Sequence, residues 1–258
     1  MSETLDMVQA VARRAGAVLR DGFGRVTHVE HKGATDLVTE YDRRSEELIV
    51  AALRDRFPEH AILAEEGGES GSGATAGGYR WVVDPLDGTT NFAHGFGVFS
   101  VSIALTLDNR PILGVVYDPL RDEMYAAETG RGATLNGRPI HVSSQSNLRE
   151  SLIATGFAYD LEAAPRDNFR EFMAFARQAQ GVRRAGSAAL DAALVGAGRF
   201  DGYWEFGIKP WDIAAGALIA QEAGGRATAA DGNPDFVGAG SILISNGYLH
   251  EQMLAILR

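Results

Sequence analysis

At 258 residues, 45% of them hydrophobic and 22% charged, the chain has the make-up of a soluble globular enzyme and is long enough to close its own core. It has no cysteine, which excludes disulfide scaffolds, Cys-ligated zinc and thiol nucleophiles. With 34 acidic against 24 basic residues, the net charge of −10 offers no overall attraction to nucleic acid or an anionic membrane, and no run of about 18 uncharged apolar residues is present to span one.

The opening MSETLDMVQAVARR carries charges early and lacks a long apolar stretch, so a cytoplasmic rather than exported protein is expected. Val8, Val11, Ala12, Ala15, Val18 and Leu19 recur at helical spacing, and Gly22 supplies a stop. A second helix follows Thr39 as N-cap, marked by Tyr41, Ser45, Leu48, Ile49 and Ala52. Residues 67–78 (GGESGSGATAGG) read as a surface loop. Its loose G-x-G-x-x-A match at Gly71 has no strand close before it and no helix after it, so a dinucleotide site is not expected. Phe99, Val101, Ile103, Leu105 and Leu107 alternate as a strand does. ILGVVYD (residues 112–118) and EMYAAE (residues 123–128) follow across turns at Asn109-Arg110-Pro111 and Asp118-Pro119, which predicts antiparallel hairpins. Further strands are expected at residues 152–154, 202–205, 226–228 and 241–244. Helices are expected around Phe169–Ala176, from a Ser187 cap to Gly198, from Pro210 to Gly224-Gly225, and through Leu249, Met253, Ile256 and Leu257. The pattern is α+β, with stacked helix and sheet layers and a seam near residue 145.

The chemistry concentrates in WVVDPLDGTTNF, residues 81–92. An apolar strand runs into Asp84, and a turn at Pro85 brings Asp87 back toward it. Two ionised carboxylates about 4 Å apart repel by roughly 4 kcal/mol at an effective dielectric of 20, so they stay charged only around a cation. Oxygen ligands without His or Cys select Mg²⁺, Mn²⁺ or Ca²⁺ over zinc. Gly88-Thr89-Thr90 then reads as a helix start whose free N–H groups can hold a phosphate. Asp212 begins a helix that is apolar almost all round, and an isolated carboxylate buried there is costly without a metal. Asp42, three residues after Thr39, completes a capping box. Glu65 and Glu66 end a short apolar run. The six histidines offer only the pair His28 and His31 beside Glu30, which a strand would point to opposite faces, so no joint metal site is expected there.

The string DPLDGTTNF resembles the signature of the inositol monophosphatase family of metal-dependent phosphatases. The likeness recurs in family order along nearly the whole chain. It includes Lys32-Gly33 with DLVTEYD (residues 36–42), ILAEEG (residues 62–67), and AGSAALDAALVGAGRFDGYWEFGIKPWDIAAG (residues 185–216). The resemblance implies a layered αβαβα sandwich and one domain over residues 1–258, with pseudo-halves of roughly 1–145 and 146–258. It implies one Mg²⁺ on Glu65, Asp84 and the Leu86 carbonyl, a second on Asp84, Asp87 and Asp212, and a weaker third near Glu65, with Mn²⁺ as a substitute. Glu65 and Thr89 would orient the metal-activated water, and Asp42 would accept a hydrogen bond from Thr89. Asp87, Gly88, Thr89, Gly186, Ser187, Ala188 and Glu205 would contact phosphate or substrate. Asp36, Lys32, Lys209 and the Arg183-Arg184 pair receive no assigned role.

The implied activity is hydrolysis of a small sugar or polyol phosphate monoester, with inositol 1-phosphate first. Histidinol phosphate, fructose 1,6-bisphosphate and a nucleotide 3′-phosphate are the alternatives within the fold. Lithium sensitivity and a homodimer come with the family. A regulatory, RNA-polymerase-associated binding protein that retains the fold is the alternative of another class.

Overall fold

A computed structural model describes residues 2–26, 29–31, 37–71, 78–159, 164 and 166–258. His28, Lys32, Gly33, Asp36 and most of the Gly71 fingerprint lie outside the described residues, as does the His31 side chain. Helix α1 (Glu3–Gly22) starts at Ser2, whose hydroxyl accepts from the Leu5 N–H, and buries Leu5, Val8, Val11, Ala12, Ala15 and Leu19 along one stripe. The short strands β1 (Val29–His31) and β2 (Leu37–Thr39) pair antiparallel. Thr39 caps α2 (Glu40–Arg56) in the expected box with Asp42. Strands β3 (Ala61–Ala64), β4 (Gly68–Ser70) and β5 (Tyr79–Asp87) precede the short helix α3 (Thr89–Ala93). Then come β6 (Ser100–Leu107), β7 (Arg110–Asp118), β8 (Glu123–Glu128), β9 (Ala133–Leu135) and β10 (Arg138–Ile140).

The later part runs β11 (Leu152–Thr155), α4 (Phe169–Gln178), β12 (Gly181–Arg183), α5 (Ala188–Gly196), β13 (Gly202–Phe206), α6 (Pro210–Glu222), β14 (Arg226–Thr228), β15 (Ser241–Ser245) and α7 (His250–Leu257). Among the described residues, the first large sheet has the order β10-β9-β8-β7-β6-β5-β3-β4 and the second β12-β11-β13-β15-β14. The predicted hairpins β6-β7 and β7-β8 are antiparallel. Unforeseen from the sequence, β3 runs parallel to β5, and β11 runs parallel to β12 and β13.

Helices α1 and α2 cover one face of the first sheet, and α5 and α6 lie between the two sheets. Helices α4 and α7 close the outer face of the second. This is the αβαβα sandwich. Alternation along the strands divides the core accordingly: Val83, Ile103 and Val115 face the α1 and α2 layer, while Val82, Ala104 and Val116 meet Ala189, Ala193 and Ala215 of the middle helices. The alternation of β6 therefore separates large from small residues, since all of it but Leu107 is buried. No helix among the described residues is long and apolar enough to cross a membrane.

The middle layer is thin because its contacts are made by glycine and alanine. A Cβ on Gly216 of α6 would lie 2.5 Å from the Ala192 Cβ and 2.9 Å from the Ala189 carbonyl oxygen of α5. One on Gly114 of β7 would lie 2.8 Å from the Ala215 carbonyl oxygen. Gly216→Ala gains about 1 kcal/mol of helix propensity but must push two helix backbones apart, at about 1–3 kcal/mol. It is expected to lower the urea midpoint of unfolding, and an unchanged or raised midpoint would show that the layer has slack.

His250 ties α7 to the second sheet. Its Nε2 lies 3.0 Å from Thr228 Oγ1 and its Nδ1 2.9 Å from Ser245 Oγ. The Thr228 hydroxyl donates to the Ala229 carbonyl (2.8 Å), so Nε2 of the imidazole carries the proton that reaches Thr228. Burial, with some repulsion from Arg226, holds its pKa down at about 4. The folded chain therefore resists a proton that the unfolded chain takes up below about pH 6.5. The stabilisation is whole above that pH and fades as pH falls toward 4. The stability difference between the protein and His250→Asn should shrink over this window in urea titrations, and a pH-independent difference would refute the assignment.

Candidate active site

Asp84 is placed by a bulge. Strand β5 does not reverse at Pro85 as the sequence reading expected. It continues through Asp87, with Asp84 opposite Ser102 and Asp87 opposite Ser100 and an irregular register between them. Proline is tolerated because a bulge needs no ladder N–H there. Asp84 Oδ1 accepts from the Leu86 N–H (3.0 Å), and Ser45 of α2 donates to the Pro85 carbonyl (2.8 Å), which pins the bulge from both sides. The parallel β3 then brings in Glu65. Ala64 pairs with Val83, and the Glu65 N–H continues the ladder to the Val83 carbonyl (3.1 Å), so Glu65 stands beside Asp84.

Gly88 follows with φ 101°, a conformation favoured by glycine, and its missing Cβ leaves room for the Val98 and Gly186 carbonyls. The Thr89 hydroxyl lies within reach of Asp42 Oδ1 (2.9 Å) and the Leu86 carbonyl (3.0 Å). Asp42 Oδ2 accepts from the Thr39 N–H (2.8 Å) and hydroxyl (2.5 Å). Both readings of Asp42 therefore hold, as it caps α2 and also holds Thr89. Burial raises its pKa against the pull of these hydrogen bonds.

Asp87 reaches across the layers to α5. Its Oδ2 accepts from Ser187 Oγ (2.5 Å), the Ala189 N–H (2.8 Å) and Ser100 Oγ (3.3 Å), and its Oδ1 from the Ala188 N–H (3.1 Å). Ser187 occupies the predicted N-cap position, but its hydroxyl makes no cap bond to its own helix. A carboxylate from another segment caps α5 instead. The Ser187 and Ala188 donors, expected to meet a ligand, are engaged with Asp87. Asn91, which the sequence reading passed over, donates to the Val98, Ala185 and Gly186 carbonyls and locks the two loops together.

Asp212 stands in the first turn of α6, where its Oδ2 accepts from the Lys209 N–H (2.8 Å). The rest of that helix, Ile213 to Ala220, is buried as expected. Burial raises the pKa of Asp84 well above the usual carboxylate range, and the nearby Glu65, Asp87 and Asp212 raise it further. Asp212 is likewise pushed well up by burial and then by Asp87. Asp87 is raised less, because its four donors favour the charged form. Among the described residues no three acidic or histidine side chains already form a closed ion cage. The backbone gathers these carboxylates, with Glu65 carried in by the ladder between β3 and β5.

A cleft of about 140 Å³ opens over this cluster. Glu65, Asp87 and Asp212 line it together with Gly186, Ser187, Ala188 and Glu205. Asp84 and Thr89 are buried, 2% and 6% exposed. Glu205 is pushed up to about 7 by burial, against the hydrogen bond from the Tyr203 hydroxyl (2.6 Å). Gly156 makes room for it, since a Cβ there would collide with the Glu205 carboxylate. Lys209 and Arg184, left without a role above, also line the cleft, as do Asp191 and the segment from Thr155 to Tyr159, which the sequence reading missed. The Glu66 N–H donates to the Glu46 carboxylate (2.9 Å).

The sequence pattern of the inositol monophosphatase family matches residues 1–258. An inositol-1-monophosphatase of Synechocystis is 47% identical over 250 residues, covering 96% of this chain and 86% of the relative. A Pseudomonas aeruginosa protein named Nus factor SuhB is 45% identical over 265 residues, covering 100% and 97%. Among solved structures, an inositol monophosphatase from Anabaena superposes with a TM-score of 0.89 at 45% identity, covering 98% of this chain and 94% of its own. The extragenic suppressor protein SuhB from Bartonella henselae superposes with a TM-score of 0.93 at 37% identity, covering 100% and 99%. The chain thus belongs to the inositol monophosphatase family, a family of phosphoric monoester hydrolases.

Proposed function

We propose that the cleft hydrolyses a small sugar or polyol phosphate monoester with Mg²⁺, or Mn²⁺ in its place, and that inositol 1-phosphate is its preferred substrate. The observation that carries this reading is the gathering of Glu65, Asp84, Asp87 and Asp212 in one patch at the cleft, where repulsion adds to burial in raising Asp84 and Asp212. Such a patch gains from a hard divalent cation, and its all-oxygen donor set suits Mg²⁺. In this reading Glu65, Asp84 and the Leu86 carbonyl would hold one ion and Asp84, Asp87 and Asp212 a second, with a weaker third near Glu65. Ions held there would supply charge neutralisation for a phosphoryl group and for the oxygens that attack and leave it.

The chain's own residues do the positioning. Glu65 and Thr89 orient the attacking water. By donating to Asp42, the Thr89 hydroxyl keeps its oxygen available to accept a proton of that water. Ser187, Ala188 and Ala189 fix Asp87 from the α5 side, and Gly88 and Gly186 let the two loops touch so that the phosphate is held between them. Glu205, with one oxygen on Tyr203, offers the other to a polyol hydroxyl. Lithium inhibition, a homodimer and cytoplasmic residence accompany the proposal through the family resemblance.

The SuhB relative named as a Nus factor favours a second reading, a regulatory, RNA-polymerase-associated protein on the same fold. Retention of Asp42, Glu65, Asp84, Asp87, Asp212 and Thr89 speaks for catalysis.

Phosphate release with Mg²⁺ should be fastest from inositol 1-phosphate when it is set against histidinol phosphate, fructose 1,6-bisphosphate and a nucleotide 3′-phosphate. Faster release from any of these would overturn the substrate. Asp212→Asn keeps an acceptor for the Lys209 N–H but loses the charge, so turnover should fall at least about a hundredfold in a folded protein. An unchanged rate would sink the metal assignment.

A further inference from the structure

Asp191 lies one turn into α5, with its N–H donating to the Ser187 carbonyl (2.9 Å). The residue is 2% exposed, and its Oδ1 is buried with no hydrogen-bond partner among the described residues. It nonetheless lines the cleft, beside Glu205 and Arg184. An acidic side chain in a first helical turn is ordinarily explained by the free N–H groups and the dipole of the helix. That explanation fails here. The Ala188 and Ala189 N–H groups are taken by Asp87, and none reaches Asp191 Oδ1. A buried, unpaired carboxyl oxygen destabilises the free protein, and folds retain that cost where a ligand completes the bond. The neighbourhood agrees, since burial and then repulsion from Glu205 and Asp87 raise the Asp191 carboxyl well above its usual range, with Arg184 opposing.

We propose that Asp191 is a specificity-determining residue of the cleft, its unpaired oxygen accepting a hydrogen bond from a hydroxyl on the non-phosphate part of the substrate, next to the hydroxyl met by Glu205. This rests on the phosphatase reading above. Two neighbouring carboxyl acceptors match adjacent hydroxyls of a cyclitol or sugar. An aryl phosphate, with no donor on its ring, leaves the Asp191 oxygen unpaired as it is in the free protein.

The test compares inositol 1-phosphate with p-nitrophenyl phosphate in the full chain with Mg²⁺, for the protein, Asp191→Leu and Asp191→Asn. Leucine removes the acceptor at similar volume. The ratio of kcat/KM for the inositol ester over the aryl ester should fall about tenfold or more, through KM and with kcat within about threefold. Asparagine keeps one carbonyl acceptor and should restore at least part of the ratio. Since an unsatisfied group is removed, the melting temperature of Asp191→Leu should equal or exceed that of the protein. An unchanged ratio would overturn the proposal. So would a parallel loss on both esters with a lower melting temperature, or failure of Asp191→Leu to fold, because each points to a structural carboxyl. If the unaltered protein turns over neither ester, the phosphatase reading fails; if it turns over both and the ratio stays put, only the Asp191 role fails.

Discussion

Repulsion among four carboxylates organises this molecule. Glu65, Asp84, Asp87 and Asp212 arrive from the residue after β3, from the two ends of a bulge in β5, and from the first turn of α6, and the fold brings them together against their own charge. Burial makes the Asp84 and Asp212 charges harder to carry, and their acidic neighbours make them harder still. A protein selected only for stability would place apolar or paired groups there. The cluster is therefore the strained point of the structure, and the surrounding hydrogen bonds are understood by what they hold in place. Ser45 on the Pro85 carbonyl and Leu86 on Asp84 fix the bulge, while Thr39 and Thr89 fix Asp42 behind it.

Asp87 joins this cluster to the layered core. By accepting the first N–H groups of α5 it satisfies a helix end that no side chain of that helix caps, and it thereby binds the first sheet to the middle layer. The middle layer must lie close for that contact to form. Gly114 and Gly216 allow the close approach, and the alanines of α5 and α6 fill the remaining space between two sheets. Packing far from the cleft thus sets distances inside it. The net charge of −10 is a poor guide to what the protein binds, because a small part of it, gathered in one place, decides the local chemistry in the proposed reaction.

Much of this was legible in the amino-acid order. Helix starts and stops carry local chemistry, so Thr39 with Asp42, Pro210 and the Gly224-Gly225 stop could be read directly. The hairpins of β6, β7 and β8 were legible because their turns are short. What stayed hidden depends on partners distant in sequence. The parallel pairing of β3 with β5, which puts Glu65 beside Asp84, leaves no local signature. The same holds for the loss of solvent from both faces of β6, where large and small side chains mimic an exposed and a buried face. Pro85 reads as a turn until the Ser100 and Ser102 pairings show a bulge. Ser187 reads as a helix cap until Asp87 takes the role. Nothing local in AGSAALD marks Asp191, whose oxygen is unusual only through its burial in the folded chain.

A divalent cation that relieves the repulsion the fold imposes will show in the melting temperatures of the protein and of Asp84→Asn, each measured with and without Mg²⁺. Without Mg²⁺, Asp84→Asn should melt higher, because one of the opposed charges is gone. With Mg²⁺ in about hundredfold excess over its dissociation constant, the unaltered protein should rise by on the order of 5 °C and Asp84→Asn should not. A melting temperature indifferent to Mg²⁺, or an equal rise in Asp84→Asn, would mean that the four carboxylates hold no cation.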